Sequence, residues 1–537
     1  FWVSDGLNIN TFTIAATAIQ TGLSWWAAWL AIIIGYVFVS FLVTATARMG
    51  AIYHCSFPVL ARASFGVYGA LWSVLNRAIM ACIWYGVQAY FGGDCVTIVL
   101  RALAPSYNDI PNGLPASAGT TTRDFLSFFL FSLISLPLVY LKPEKVRIFF
   151  NVKSVVVPIA AIAFFAWSIA DAKGLGPIVR QKATISGSVW GWAFVSSIMS
   201  CISNMATLVL NIPDMSRLAK SSKNTTWPQI ISIPATFGIT SFLGIIISSS
   251  STVIYGEQIW NPLDLLKRRL DLAPNDPGTR AGVFFIAAAF ILGQIGTNIA
   301  ANSLSAGHDL SALLPRYITI RRGGFICAAV GFAMCPWHIT ADSSSFATYL
   351  SAYSLFLSSI SGTMLCDYYV VRRGLLDVPS LFSSASPSNN DSSAKQEPCE
   401  YRYTGGFNLR AFAAYLAGIA ISVTGFAGVL GANVSLAAER IYILAYPIGF
   451  LVSALVYLGL CSVWPVQGGV DIREKGFLEP SSWEAEEWDG IARDVETAQT
   501  SSTSSVEKGN PSATSPDAKP SSRAVQEIHE TDYHYSR

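Results

Sequence analysis

Residues 25–46 read WWAAWLAIIIGYVFVSFLVTAT, a run without a single charged side chain. A helix that crosses the hydrocarbon core of a bilayer needs about 20 mainly apolar residues, so this stretch by itself predicts a membrane span. Similar runs recur along the chain and predict an all-α integral membrane protein with about twelve transmembrane helices, near residues 2–22, 25–46, 67–100, 125–141, 148–170, 189–212, 228–254, 282–303, 324–336, 346–371, 411–431 and 439–463.

The composition agrees with a chain that lies mostly in lipid. Hydrophobic residues make up 52% of the sequence and charged residues only 13%, about half the share usual in soluble domains. This excludes a cytosolic enzyme or a nucleic-acid-binding protein and makes the lipid bilayer the expected partner. The nine cysteines form no CxxC pair, so we expect no metal site and no cofactor.

Charge divides the chain into two regions. Residues 466–537 hold 14 Asp/Glu against 7 Lys/Arg, whereas the whole chain holds 33 against 35. We therefore expect a transmembrane core over residues 1–465 and a disordered, acidic C-terminal tail over 466–537. Loops that would face inward with a cytoplasmic N-terminus carry sixteen Lys/Arg, and outward loops carry ten, so both termini are predicted to be cytoplasmic. Because the chain begins at Phe1, we expect a missing N-terminal segment.

Rows of polar side chains interrupt the apolar runs. Trp84 and Gln88 are four residues apart and share one face of a helix. Three further rows keep helical spacing: Asn10, Thr13 and Thr17; Asn204, Thr207 and Asn211; Gln294, Asn298, Asn302 and Ser305. Such groups can bond neighbouring helices together, or they can line a ligand path.

The residue types favour a planar amide ligand. A carboxamide offers a donor and an acceptor side by side, which matches the imide edge of a pyrimidine, and a Trp ring offers a stacking face. Helix–helix bonding is the better interpretation of any single row, but several carboxamide rows beside a Trp/Gln pair shift the balance toward a substrate site.

The sequence resembles the nucleobase:cation symporter family one, in its fungal uracil/allantoin/uridine permease branch. The resemblance covers Phe1 to about Pro465, and its ordered motifs are DGLNINT (Asp5–Thr11), HCSFP (His54–Pro58), RASFG (Arg62–Gly66), WYGVQ (Trp84–Gln88), NIPD (Asn211–Asp214), TNIAAN (Thr297–Asn302), CDYYVVRR (Cys366–Arg373) and NLRAFAAY (Asn408–Tyr415).

The resemblance implies a leucine-transporter-like fold, in which a five-plus-five inverted repeat contains broken first and sixth helices and holds substrate at the midplane. It also implies substrate-binding residues. Trp84 would stack on the ring, Gln88 and Asn302 would bond its edge, and Asn298 would support them one turn away. Met205 takes the position where the family often has an aromatic residue.

The coupling ion follows from the same resemblance. Sodium-coupled bacterial relatives supply two neighbouring hydroxyls from the eighth helix, and the matching pair here is Gly296 and Thr297. One hydroxyl is therefore missing, and fungal relatives use protons, so we expect a proton as the coupling ion. Thr297, Asp5 and Asp214 are the ion-coupling candidates, with Asp94 and Asp367 as further acids. Each acid could instead cap or anchor a helix end.

The expected function is a plasma-membrane permease that imports a nucleobase or related compound, uracil first, by proton symport. Allantoin, uridine, thiamine or nicotinamide riboside are alternative substrates. An intramembrane enzyme is disfavoured because the chain lacks HExxH, Gly-x-Ser-x-Gly and Walker A motifs. A nutrient sensor is less favoured because it would carry a large signalling domain. Lys508 and Lys519 in the tail resemble ubiquitination sites of fungal permeases for the endocytic machinery, and solvated filler is an equal alternative.

Overall fold

The protein is described here from a computed structural model, which covers residues 2–140, 143–382 and 400–466, together with Phe477 and Glu479. Within these residues there is no β-strand, and one isolated bridge joins Thr404 to Phe407. The predicted all-α architecture is confirmed. The acidic tail, with Lys508 and Lys519, lies almost wholly outside the described residues.

Up to Ser216, the described residues form ten α-helices and two 3₁₀ turns, Pro105–Asp109 and Ala116–Ala118. The α-helices are α1 (Trp2–Gly6), α2 (Ile9–Gln20), α3 (Trp25–Tyr53), α4 (Phe57–Phe65), α5 (Ala70–Leu103), α6 (Thr122–Val139), α7 (Pro143–Asp171), α8 (Leu175–Val179), α9 (Gly187–Asn211) and α10 (Pro213–Ser216).

The second half continues with helices of different lengths, some of which are followed directly by a π-helical turn. They are α11 (Lys223–Tyr255), α12 (Pro262–Leu272), α13 (Pro277–Thr297), a π-helical turn at Asn298–Ser303, α14 (Leu304–Leu313), α15 (Ile320–Ala333), α16 (Ser343–Cys366), a second π-helical turn at Asp367–Val371, α17 (Val378–Phe382), α18 (Leu409–Ala420), α19 (Val423–Val429), α20 (Leu436–Ile443) and α21 (Ala445–Val463).

All twelve predicted spans coincide with helices, but fewer pass a test of length and composition. In the described part of the chain, eight helices are long and apolar enough to cross a membrane, or nine if the bent pair α18 and α19 forms one span. The first span is divided between α1 and α2, α15 is short, and α16 is rich in serine. The count of twelve therefore stays a prediction.

The first span is broken where the resemblance implied. Helix α1 ends at Gly6, and Asn8 starts α2 by accepting a 2.9 Å hydrogen bond from the Thr11 amide, which satisfies one of the free amides of the first turn. The sixth span differs from the expectation. Helix α9 is continuous to Asn211, and the chain is interrupted only at Ile212, where Pro213 begins α10 and lacks the amide that would extend α9.

The helices pack around a large apolar core that also encloses polar side chains, and further apolar side chains cover the outside. Helix α3 packs against α9 and α11, α5 packs against α13, and α16 packs against α21. Many large apolar side chains are exposed on the outer surface, among them Phe41, Ile159, Phe285 and Leu455. An outer surface of this kind fits hydrocarbon rather than water.

Candidate substrate and ion site

One cavity brings together six of the eight site residues predicted from the sequence. Its free volume is about 40 Å³, which is room for a few water molecules, so a ring-shaped ligand would require side chains to move. The predicted residues on its wall are Asp5, Trp84, Gln88, Met205, Thr297 and Asn302, and they are joined by Asn8, Asn10, Asn204, Thr207, Leu208, Phe237 and Ala301. Asn298 lies directly behind Asn302, and Asp214 is not on the wall.

Trp84 is held edge-on by a group of rings on α16. Its ring centroid lies 6.4 Å from that of Phe346, 6.0 Å from that of Tyr349 and 6.3 Å from that of Tyr353, at angles of 64–89°. Edge-to-face contacts of this kind fix a ring in place. Tyr353 in turn donates a 2.7 Å hydrogen bond to the Ser203 carbonyl on α9, so the orientation of Trp84 depends on two other helices.

Gln88 on α5 and Asn302 in the π-helical turn reach the cavity from two neighbouring helices. Each forms a hydrogen bond with a carboxamide that is not on the cavity wall. Gln294 donates to Gln88 Oε1 at 2.6 Å and to the Gln88 main-chain oxygen at 3.3 Å. Asn298 donates to the Tyr85 main-chain oxygen at 3.1 Å, and Asn302 donates to Asn298 Oδ1 at 2.9 Å. The π-helical turn at Asn298–Ser303 carries this last pair, and such turns often occur at functional sites.

The broken first span forms another part of the wall. Asn10 donates to Asn204 Oδ1 at 2.8 Å, which ties α2 to α9. Asn10 Oδ1 and Asp5 Oδ1 are buried and have no hydrogen-bond partner among the described residues. Unpaired acceptors are costly in a desolvated setting, so this side of the cavity is suited to a donor from a ligand or a proton.

A buried lysine, which the sequence reasoning did not single out, lies beside the predicted ion-coupling residue. Lys153 on α7 is fully buried, and its Nζ donates a 2.5 Å hydrogen bond to Thr297 Oγ1. Asp5 interacts electrostatically with Lys153. A Cβ on Gly296 would lie 2.9 Å from Lys153 Cδ, so the missing hydroxyl at Gly296 also makes room for the lysine. The signal in the sequence was a lone Lys within the apolar run 148–170.

The other charged candidates lie in separate contacts. Asp214 accepts a 2.9 Å hydrogen bond from the Phe57 amide. Asp367 pairs with Arg372 at 3.2 Å, and Asp94 pairs with Lys267 at 2.9 Å. These contacts match the anchoring roles considered for Asp214 and Asp367, and they leave Asp5 as the only one of the four acids on the cavity wall.

The polar rows also connect helices away from the cavity. Arg77 on α5 forms a buried ion pair with Asp309 on α14. With its carboxamide oxygen turned toward Arg77, Asn211 accepts from Arg77 Nη1 at 2.9 Å and from Ser305 Oγ at 2.7 Å, and its amide group donates to the Thr207 carbonyl at 3.0 Å. The helix-bonding interpretation therefore applies to Asn211, whereas the residues on the cavity wall stay candidates for a ligand site.

A helical membrane protein whose first helix is broken beside a buried polar cavity has the architecture of a secondary transporter. Residues 1–449 match the family described as permease for cytosine/purines, uracil, thiamine, allantoin. This chain belongs to that family.

Individual relatives agree with this assignment. The allantoin permease of Saccharomyces cerevisiae is 43% identical over 478 residues, which cover 87% of this chain and 73% of that protein. The uracil permease of the same yeast is 41% identical over 514 residues, covering 92% and 78%. Mhp1, a nucleobase-cation-symport-1 family transporter solved in a closed conformation with bromovinylhydantoin bound, gives a TM-score of 0.64 at 21% identity over 87% of this chain and 92% of that one. The predicted leucine-transporter-like fold is confirmed, and the protein is a permease rather than an enzyme.

Proposed function

We propose that this permease imports uracil, or a closely related compound, across the plasma membrane by proton symport. The observation that carries the proposal is the convergence of Trp84, Gln88 and Asn302 on one cavity. A stacking ring and two carboxamides are what a small planar ring with an imide edge requires. Allantoin and uridine share such an edge, and thiamine and nicotinamide riboside are the remaining alternatives.

Proton coupling is supported by the surroundings of Thr297. A sodium ion needs several oxygen ligands, whereas here the Thr297 hydroxyl already accepts from the Lys153 ammonium, and a second cation beside that ammonium would be repelled. Lys153 and Asp5 are both buried and can each gain or lose a proton. Burial disfavours an isolated charge on either residue, whereas opposite charges on the two favour each other. We assign the coupling proton to the group formed by Asp5, Lys153 and Thr297.

Rocking of one helix bundle against the other would expose this site to each side in turn. Asn10–Asn204 and Asn211–Ser305 are bonds between different helices of the core. We propose that substrate and proton bind together in the cavity and are released together on the cytoplasmic side.

Uptake in a host without its own permeases tests the proposal. Cells that express the chain should accumulate unmodified radiolabelled uracil, allantoin or uridine, and an uncoupler should abolish accumulation. Uptake of none of the three would refute the substrate class. Accumulation that depends on Na⁺ at constant pH would refute proton coupling alone.

A further inference from the structure

Two carboxamides behind the cavity determine which atoms of Gln88 and Asn302 face a ligand. A carboxamide can be turned by 180° so that its oxygen and nitrogen exchange places, and only the surrounding hydrogen bonds decide the orientation. Here two series of hydrogen-bonded side-chain amides each end on a main-chain carbonyl oxygen of α5, which can only accept. The orientation of every amide in each series is therefore fixed by its neighbour.

The first series runs from Tyr85 to Asn302. Because the Tyr85 oxygen accepts at 3.1 Å, the Asn298 atom that faces it must be the nitrogen. Asn298 Oδ1 then points to Asn302 and accepts from Asn302 Nδ2 at 2.9 Å. The remaining polar atom of Asn302 is its carbonyl oxygen, so Asn302 offers the cavity an acceptor.

The second series of hydrogen-bonded amides, from Gln294 to Gln88, leaves a donor facing the cavity instead of an acceptor. Because the Gln88 main-chain oxygen accepts at 3.3 Å, the Gln294 atom that faces it must be the nitrogen. The same nitrogen donates to Gln88 Oε1 at 2.6 Å. The remaining polar atom of Gln88 is its Nε2, so Gln88 offers the cavity a donor.

Gln294 and Asn298 are not themselves on the cavity wall, and both are buried. They lie one turn apart on the eighth span and bond α5 at Gln88 and Tyr85, which are also about one turn apart. Any effect they have on a ligand must pass through Gln88 and Asn302.

We propose that Gln294 and Asn298 are positioning residues that set the polarity of the site, so that the permease selects ligands with a carbonyl oxygen toward Gln88 and an adjacent N–H toward Asn302. The proposal rests on the proposed function and adds to it a rule for substrates. Held in the same orientation, rings that carry an amino group beside an unprotonated ring nitrogen leave a donor facing a donor and an acceptor facing an acceptor, and they can pair with Gln88 and Asn302 only by turning over.

A pair of analogues isolates this edge. Uracil has a carbonyl next to an N–H at C4 and N3, and cytosine has an amino group next to a bare nitrogen at the same positions. Both keep the carbonyl at C2 and the N–H at N1, so cytosine cannot turn over without moving these groups as well. Each is used as a competitor of whichever of radiolabelled uracil, allantoin or uridine the wild-type chain takes up. The ratio of their inhibition constants reports the polarity of the site, because loss of expression or general loss of fold changes both constants equally.

In the wild type, uracil should inhibit at least about tenfold more strongly than cytosine, the effect of mispairing buried hydrogen-bonding groups. Gln294→Met keeps the length of the side chain and removes its hydrogen bonds, which frees Gln88 to turn, and the ratio should fall toward one. Asn298→Leu should lower the ratio independently through Asn302. The matched control is Gln229→Met, the same change at a buried glutamine of α11 away from the cavity, which should keep the wild-type ratio.

Equal inhibition by the two analogues in the wild type, or inhibition by neither, would overturn the proposal. Unchanged ratios in both Gln294→Met and Asn298→Leu would overturn it as well. Failure of the proposed function is distinct, because it appears as absent uptake of all three labelled compounds by the wild type before any competitor is added.

Discussion

The ammonium group of Lys153 on α7 lies 2.5 Å from the hydroxyl of Thr297 on α13, in the fully buried interior of the helical core. The hydroxyl oxygen that could ligand a metal cation is therefore already bonded to a cation of the protein. This contact joins the fifth and eighth predicted spans, and Asp5 on the broken first span interacts electrostatically with Lys153.

Replacing Lys153 should uncouple transport from the proton gradient. In the wild type, initial uptake rates should rise as external pH falls from about 7 to 5, because protonation of the group formed by Asp5, Lys153 and Thr297 precedes loading. Lys153→Met should reach the membrane but lose both the stimulation by acid and the accumulation against a gradient. Lys173→Met, at an exposed lysine, is the control. A Lys153→Met variant with the wild-type pH profile would show that the proton is carried elsewhere.

The close approach of α5 and α15 should tolerate no side chain at Gly86. A Cβ there would lie 2.5 Å from the main-chain oxygen of Gly331, and neither backbone can move without shifting Tyr85 and Gln88. We expect Gly86→Ala to lower the free energy of unfolding by about 1–3 kcal/mol, typical of overpacking, and so to lower the melting temperature. Gly459→Ala on α21 is the control, since a Cβ there meets nothing within 4 Å. Equal melting temperatures of the two purified variants would contradict this packing.

The sequence predicted the elements of the fold well, because runs of apolar residues and helical spacing are local features. It also predicted which residues of α5 and of the eighth span share the cavity, since Trp84, Gln88 and Asn302 lie on polar faces. The resemblance implied a break within the sixth span, whereas α9 continues to Asn211, because whether a helix breaks at such a point depends on the packing around it. Nor did the sequence show the role of Phe346, Tyr349 and Tyr353, because aromatic residues on an apolar helix look the same whether they face lipid or surround Trp84.

Lys153 shows a different limit. A single lysine in an apolar run can reach toward the membrane surface or remain buried with a partner, and only the three-dimensional structure distinguishes these cases. Gly296, which leaves space for the lysine, and Thr297, which accepts its hydrogen bond, both lie on another helix. Lys153 and Thr297 are 144 residues apart in the sequence. Local sequence contains no information about that contact.

The topology has a direct test. With both termini in the cytoplasm, a cysteine placed at Asn433 should react with an impermeant reagent added outside, and one placed at Asn224 should not. Both side chains are exposed, whereas the neighbouring Thr225 is buried and unsuitable for labelling. The background is a variant in which serine replaces the exposed Cys335 and also Cys399, which lies outside the described residues. If the cysteine at Asn224 is labelled from outside, the orientation of the protein in the membrane is opposite to the one predicted.

The C-terminal tail should affect turnover rather than binding. Glu479 forms an ion pair with Arg48 and accepts from Tyr368 at 3.1 Å, so the chain just before residue 480 contacts α3 and the end of the tenth span. Deletion of residues 480–537 keeps this contact. It should leave the apparent KM unchanged and slow removal of the permease from the plasma membrane, as measured by surface biotinylation over time. A large change in KM would show that the deleted residues act on the transport core.

The central claim is that Trp84, Gln88 and Asn302 bind the transported ring, and the most direct test is the substrate KM of their alanine variants, with surface expression measured beside it. Trp84→Ala should raise the KM by about 5- to 150-fold, equivalent to about 1–3 kcal/mol of lost stacking. Gln88→Ala and Asn302→Ala should each cost a similar amount, since each leaves one edge of the ligand unpaired in a desolvated cavity. If all three variants reach the membrane and transport with the wild-type KM, the substrate does not bind at these residues.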